Sequence, residues 1–565
     1  MKITGAQAMM ECLKEQGVEV IFGFPGGAVI DIYDELMKTD IKHVLVRHEQ
    51  GAIHAADAYG RVKGEVGVVL VTSGPGATNT VTGIASAYCD SIPLVVFTGQ
   101  VPTALIGNDA FQEVDIVGIT RPCTKHNYLV KNSEDLVPTI REAFHIARTG
   151  RPGPVLIDLP KDMMVAKVTY TEPKPIKMRS YRPTYEPHPG QIEKACKAIL
   201  RAKKPVVYAG GGVIASNSNQ ELTELSTKLN IPTTMTLMGL GGFPGTHALS
   251  LGMLGMHGTY FANMAVANCD LLIAVGSRFD DRVTGKIDAF APHAKIIHID
   301  IDPTSISKNV EVDIPIVADC KHALTAMNTW FAKNDAFDEK KIAKDREPWL
   351  DTIKEWKNKH PLVYVEEGDI IKPQYVVQKL DELTKGEAII TTEVGQNQMW
   401  AAQFYHFNHP RAFMTSGGLG VMGYGFPASI GAKIAAPDRT VIDIAGDGSL
   451  QMNIQELATA IQYKCPVKIA LLNNSYLGMV RQWQELFYDK RYAATDLASA
   501  PDFVKVAEAY GAVGLRATKV SEVVPVIKEA LATDNVVLMD FVISREEGVY
   551  PMVPAGKATT EMLLV

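Results

Sequence analysis

The stretch Thr440–Asn474, TVIDIAGDGSLQMNIQELATAIQYKCPVKIALLNN, constrains the fold of this chain more than any other. An apolar strand through Val441, Ile442 and Ile444 runs into the turn Gly446, Asp447, Gly448. Leu450, Ile454, Leu457 and Ile461 then follow at helical spacing. Pro466 opens a second strand, Val467 to Leu472, that ends in Asn473 and Asn474. If the two strands are parallel neighbours, Asp447 and Asn474 stand at adjacent carboxyl ends, where open α/β sheets bind their ligands. A lone Gly-Asp-Gly makes turns in any protein. Its specificity here comes from the 24-residue spacer to the Asn pair (449–472), with a strand before each end and a helix between.

One carboxylate and one amide oxygen placed this way can share a hard cation. Mg²⁺ takes oxygen ligands at about 2.0–2.1 Å in an octahedron and keeps positions for phosphate and water. Asp447, Asn474 and the backbone carbonyl of Tyr476 supply three oxygens, and a diphosphate supplies two more. A helix starting near Ser449 adds its N-terminal dipole and free N–H groups for that anion.

The rest of the chain repeats this architecture. At 565 residues it has room for about three domains. Residues 1–165 carry VEVIFGF, HVLVRHE, VGVVLVTSG, PLVVFTG and PVLIDLP; the nearly continuous Val, Leu and Ile content suits a parallel sheet covered on both faces. A Pro-, Lys- and Tyr-rich stretch between Val165 and Pro189 predicts a linker. A second set follows over 190–330 (PVVYAGGG, IPTTMTL, DLLIAVGS, KIIHIDID, DIPIVAD). A third occupies 372–565 (EAIITTEVG, AFMTSG, TVIDIAG, VKIALLNN, NVVLMDFVI), after a charged segment, Asp338 to Lys359, that is either a linking helix or a solvated connection. The predicted class is α/β, three domains each with a mostly parallel sheet flanked by helices. Residues 66–99 share the strand, Gly-rich turn, helix, Pro, strand plan of 440–474, so the first and third domains are either relatives by duplication or two α/β units alike by chance.

Composition excludes other classes. A net charge of -7 leaves no basic footprint for nucleic acid. Seven scattered cysteines without CxxC spacing argue against a disulfide framework or a zinc site. The N-terminus carries Glu11, Lys14 and Glu15 where a signal peptide is apolar, and no run of about 18 apolar residues exists, so a cytoplasmic protein without membrane spans is expected.

With GDG, this spacer and NN in place, the chain resembles the thiamine-diphosphate (ThDP) enzymes, and over its whole length the acetohydroxyacid synthases among them. The resemblance implies ThDP, Mg²⁺ and FAD as cofactors. It makes Asp447, Asn474 and Tyr476 the metal ligands, and Val394, Gly395, Gln396, Asn397, Gly420, Met422, Gly448, Ser449, Leu477, Gly478 and Met479 the ThDP site. Met422 would wedge the cofactor into a bent shape, although a methionine is more often core packing.

Glu49 follows the strand HVLVRH, where pairing with Arg47 or His48 also accounts for it. By resemblance it bonds the aminopyrimidine and favours the tautomer that removes the thiazolium C2 proton; its loss should raise the barrier by about 3 to 5 kcal/mol. Gly27, in the turn Pro25–Ala28, and Gln112 would stabilise developing negative charge, Gly27 because a residue without Cβ permits close approach. Lys161 completes the catalytic set. In the family, Glu49 and Asp447 meet between two subunits, which implies a homodimer or tetramer, with a regulatory small subunit as a further partner.

The central domain contains no GxGxxG. By resemblance Arg151, Gly211, Gly212, Thr236, Leu237, His257, Arg278, Asp300, Ile301 and Asp319 form its FAD site. Asp281 and Arg282 are otherwise a surface ion pair worth under about 1 kcal/mol. The resemblance places Arg282 with Phe111, Met256, Lys161 and Trp483 around the second 2-oxo acid, the indole favouring 2-oxobutyrate over pyruvate by roughly 1–3 kcal/mol. Trp483 alone reads as helix packing against Met479. The implied reaction decarboxylates pyruvate and ligates the hydroxyethyl carbanion to pyruvate or 2-oxobutyrate, with GVYPMVPAG folded over the pocket; a flavin-using pyruvate oxidase is the alternative. Glu393 and Asn397 in EVGQNQMW depart from the family's Asp and His, so a different ThDP affinity is expected.

Overall fold

The computed structural model describes residues 1–334 and 337–564 and contains three six-stranded sheets. All strand pairs within them are parallel. The strands that read as continuous apolar runs are the buried central ones: Gly67–Val71, Leu94–Gln100 and Leu271–Val275 are buried at every position. Parallel strands need helices on both faces, and those helices hide both sets of alternating side chains.

The order of strands separates the domains into two kinds. In the first sheet, Lys42–Leu45, Val20–Phe24, Gly67–Val71, Leu94–Gln100, Pro154–Pro160 and His126–Leu129 lie side by side in that sequence. In the third, the sequence is Phe413–Met414, Ile389–Thr392, Val441–Gly446, Lys468–Asn473, Val537–Val542 and Val513–Ala517. Numbered within its own domain, each sheet runs second, first, third, fourth, sixth, fifth. The shared order favours duplication over chance for the echo between residues 66–99 and 440–474. The central sheet instead runs third, second, first, fourth, fifth, sixth: Ser250–Met253, Thr233–Met235, Pro205–Ala209, Leu271–Val275, Lys295–Asp300 and Ile314–Val317. That is the order of dinucleotide-binding sheets.

The Pro-rich stretch after Thr169 has no regular structure until helix Pro189–Arg201. The charged segment is a helix, Glu339–Lys359, and it is packed rather than solvated. Arg346 is 1% exposed and its guanidinium donates to the carbonyls of Leu229 and Ile199, while the Trp349 indole N–H reaches the Pro205 carbonyl at 3.2 Å. The first and third domains meet through small residues: helix Glu49–Lys63 lies on helix Gly425–Ala435, and a Cβ at Gly431 would overlap the Ala55 carbonyl oxygen. Among the described residues no helix is long and apolar enough to cross a membrane.

Candidate functional site

Strands Val441–Gly446 and Lys468–Asn473 are parallel neighbours, with Gly446 opposite Leu472, so Asp447 and Asn474 do emerge at adjacent carboxyl ends. The segment after Asp447 is a single helical turn, Asp447–Leu450, followed by Ile454–Glu456 and then helix Leu457–Gln462. One turn sums too few peptide dipoles to attract an anion on its own, so backbone N–H groups remain as its means of doing so. Asp447 is 1% exposed and burial pushes its carboxyl up to about 7. Its Oδ2 has no hydrogen-bond partner among the described residues. A buried, unengaged carboxylate oxygen is costly unless something neutralises it, which is what a cation does.

Asn474 is fixed beside it. Its Oδ1 accepts the Tyr476 N–H at 3.1 Å and its Nδ2 donates to Gln396 Oε1 at 3.2 Å. Gly478 packs so tightly on this pair that a Cβ there would lie 2.7 Å from Asn474 Nδ2. Among the described residues no three His, Cys, Asp or Glu side chains cluster as a metal site. A cation at Asp447 would therefore complete its shell from amide and carbonyl oxygens and from an anionic ligand.

Gly448 links this end to the neighbouring cavity: a Cβ on it would meet Leu477 Cδ2 at 2.6 Å and Met422 Cε at 3.8 Å. The Met422 loop is anchored by Glu393, whose Oε2 accepts the Gly423 N–H at 2.7 Å and the Ser449 hydroxyl at 2.5 Å, and whose Oε1 accepts the Phe426 N–H at 3.0 Å. Burial pushes the Glu393 and Asp443 carboxyls up together. Asn397 turns inward and donates to the carbonyls of Glu393 at 2.9 Å and Ile444 at 2.8 Å. Both departures from the family pattern thus hold backbone.

A cavity of about 1060 Å³ gathers most of the remaining candidates. Val394, Gly395, Gly420, Met422 and Met479 line it, as do Met256, Arg282 and Trp483. Arg151, Gly211, Gly212, Thr236, Leu237, His257, Arg278, Asp300, Ile301 and Asp319 line it as well. Among these, Gly211 and Gly212 belong to the turn after Pro205–Ala209, which with the turn after Leu271–Val275 marks where the central strand order reverses. Those turns interlock without side chains, since a Cβ at Gly212 would lie 2.6 Å from the Gly276 Cα. Burial pushes the His257 imidazole down to about 4, so it is neutral at physiological pH. Trp483 stacks edge-on with Phe487 at 5.4 Å, and Arg282 stays 3.9 Å from Asp281 with most of its side chain in solvent.

Glu49, Gly27, Phe111, Gln112 and Lys161 do not line this cavity. They collect instead at the carboxyl edge of the first sheet. Lys161 Nζ donates to the Gly27 carbonyl at 3.1 Å, a Cβ at Gly74 would lie 2.8 Å from the Gln112 carbonyl oxygen, and Glu49 Oε2 accepts the Asn79 amide at 2.9 Å. Phe111 is 88% exposed. Asp90 and Glu456 were not singled out as site residues from the sequence, yet Asp90 lines the cavity and Glu456 contacts the start of the Glu49 helix.

Three family models match the chain in order: the N-terminal TPP binding domain of thiamine pyrophosphate enzymes over residues 3–119, their central domain over 192–327 and their C-terminal TPP binding domain over 393–541. The chain is 51% identical to the acetolactate synthase isozyme 3 large subunit of Escherichia coli (strain K12), covering 100% of this chain and 98% of that one. It is 50% identical to the acetolactate synthase large subunit of Haemophilus influenzae, with the same coverage. A probable acetolactate synthase large subunit of Methanocaldococcus jannaschii is also 50% identical, over 99% of this chain and 95% of that one.

Proposed function

The chain belongs to the thiamine-diphosphate enzymes, among the acetolactate synthase large subunits, and from that membership we propose how its residues divide the reaction. It decarboxylates pyruvate and joins the two-carbon unit to a second pyruvate or to 2-oxobutyrate, giving 2-acetolactate or 2-aceto-2-hydroxybutyrate. Thiamine diphosphate, when bound, supplies an acidic thiazolium C2–H and an electron sink for the decarboxylation.

Asp447, Asn474 and the Tyr476 carbonyl hold Mg²⁺, and the observation that carries this assignment is the buried, unengaged Oδ2 of Asp447 facing the same edge as Asn474. Gly448, Ser449, Gln396, Gly395 and Asn397 shape the diphosphate end, and Met422 supports the cofactor from its loop. The dinucleotide-type order of the central sheet and the side-chain-free turns at Gly211, Gly212 and Gly276 favour FAD against these turns, where Arg151 and Arg278 also line the cavity and would be among the residues holding it. Glu49 handles the proton at the aminopyrimidine; Gly27 and Gln112 face the developing oxyanion.

These N-terminal groups lie outside their own chain's cavity, so a second copy brings them to it. Phe111 then leaves solvent and joins Met256, Arg282, Lys161 and Trp483 around the acceptor acid. The minimal unit on this reading is a homodimer, in the cytoplasm. The name large subunit carried by the relatives supports a smaller regulatory chain as a further partner. Feeding pyruvate with ThDP, Mg²⁺ and FAD should yield acetolactate with little oxygen uptake. Oxygen consumed one for one with acetate formed, and no acetolactate, would move the chain to the pyruvate oxidases.

A further inference from the structure

Glu456 follows Asp447 in the same stretch, yet its carboxylate reaches into the N-terminal domain of its own chain. It is 1% exposed. Its Oε1 accepts the backbone N–H of His48 at 2.9 Å and of Arg47 at 3.0 Å, and its Oε2 accepts the Thr459 hydroxyl at 2.6 Å. His48 is the N-cap of helix Glu49–Lys63, and Glu49 is the first residue of that helix. A Cβ on Gly51 would lie 2.7 Å from Glu456 Oε1, so the first helical turn rests directly on the carboxylate.

Burying a carboxylate at a domain boundary is unfavourable without donors. Here every donor except Thr459 is a backbone group just before Glu49. We propose that Glu456 is the positioning residue for Glu49: it pins the entry of this helix, so that the Glu49 side chain, held at its tip by Asn79, projects in one orientation. The inference rests on the reading of Glu49 as the group that handles the aminopyrimidine proton. In the two-chain arrangement it gives one segment two duties. Asp447 serves its own chain's cavity, while Glu456 orients the glutamate that its chain lends to the partner.

The test is deuterium exchange at thiazolium C2 of bound ThDP, with full-length enzyme at saturating cofactor and Mg²⁺. Misplacing a reacting group by a fraction of an ångström lowers such rates by about tenfold or more. Glu456→Ala is expected to slow exchange by at least that factor, and Glu456→Gln, whose amide oxygen still accepts both N–H groups, to recover most of the loss. Glu49→Gln is the control and should be slow. Glu456→Ala exchanging at the wild-type rate beside a slow Glu49→Gln overturns the inference alone. Wild-type exchange in Glu49→Gln overturns the reading beneath it. If Glu456→Ala does not fold, Glu456→Asp decides: its shorter arm should exchange more slowly than Glu456→Gln, and wild-type exchange in both variants overturns the proposal.

Discussion

Asp90 accepts the backbone N–H of Gly418 at 2.7 Å, a contact from the N-terminal domain into the loop that carries Gly420 and Met422. The same carboxylate takes the Gly417 N–H at 3.0 Å and pairs with Arg61, which in turn binds Asp57 and the Thr415 carbonyl. The Met422 loop is therefore braced from another domain.

Asp90→Ala leaves two loop N–H groups without their acceptor and Arg61 with one carboxylate fewer. Unpaired groups of this kind cost about 1–3 kcal/mol. Denaturant unfolding should show a loss in that range, and titration of ThDP against protein fluorescence should show weaker binding, because the Met422 loop is no longer held.

Trp483 lines the same cavity as Met479 and Arg282. Trp483→Leu opens space that distinguishes an ethyl from a methyl group, a distinction worth roughly 1–3 kcal/mol. Competition between 2-oxobutyrate and pyruvate as acceptors should shift by about tenfold toward pyruvate, while total carboligation persists. A retained preference would place the selector elsewhere.

Asp158 predicts a pH dependence of stability unrelated to catalysis. It lies buried in strand Pro154–Pro160, bonded to Thr98 and Gln100, and burial pushes its carboxyl up to about 7 from 3.8. The folded chain therefore binds this proton more tightly than the unfolded chain. Its contribution to stability is complete below the unfolded value and is lost as pH rises through about 7. Asp158→Asn cannot ionise, so its melting temperature should fall less than wild type's between about pH 5 and pH 8.

The sequence exposed the central strands of each large sheet and one edge of each, Lys42–Leu45, Ile314–Val317 and Phe413–Met414, but not the opposite edge. In the six-stranded sheets the strands absent from the sequence reading, His126–Leu129, Ser250–Met253 and Val513–Ala517, are each outermost, and the short antiparallel pair Lys2–Thr4 and Lys167–Thr169 was absent too. Such strands meet a neighbour on one side only, so sequences such as HNYL need no continuous apolar run. Asp447 and Asn474 were legible because strand, turn and spacing fix their geometry locally. Glu456 and Asp90 were not: the backbone N–H groups each accepts from the other domain lie hundreds of residues away, and nothing near either residue marks a contact that only the packing of two domains creates.

The central claim is that one catalytic centre takes Glu49 from one chain and Asp447 from another. Glu49→Gln and Asp447→Ala chains, each inactive alone, can be co-expressed with different tags and the mixed assembly isolated by tandem purification. Random pairing puts both lesions into one site of a mixed dimer and leaves the other intact, so about half of wild-type acetolactate formation per mixed dimer should return. Mixed dimers as inactive as either parent would contradict the account.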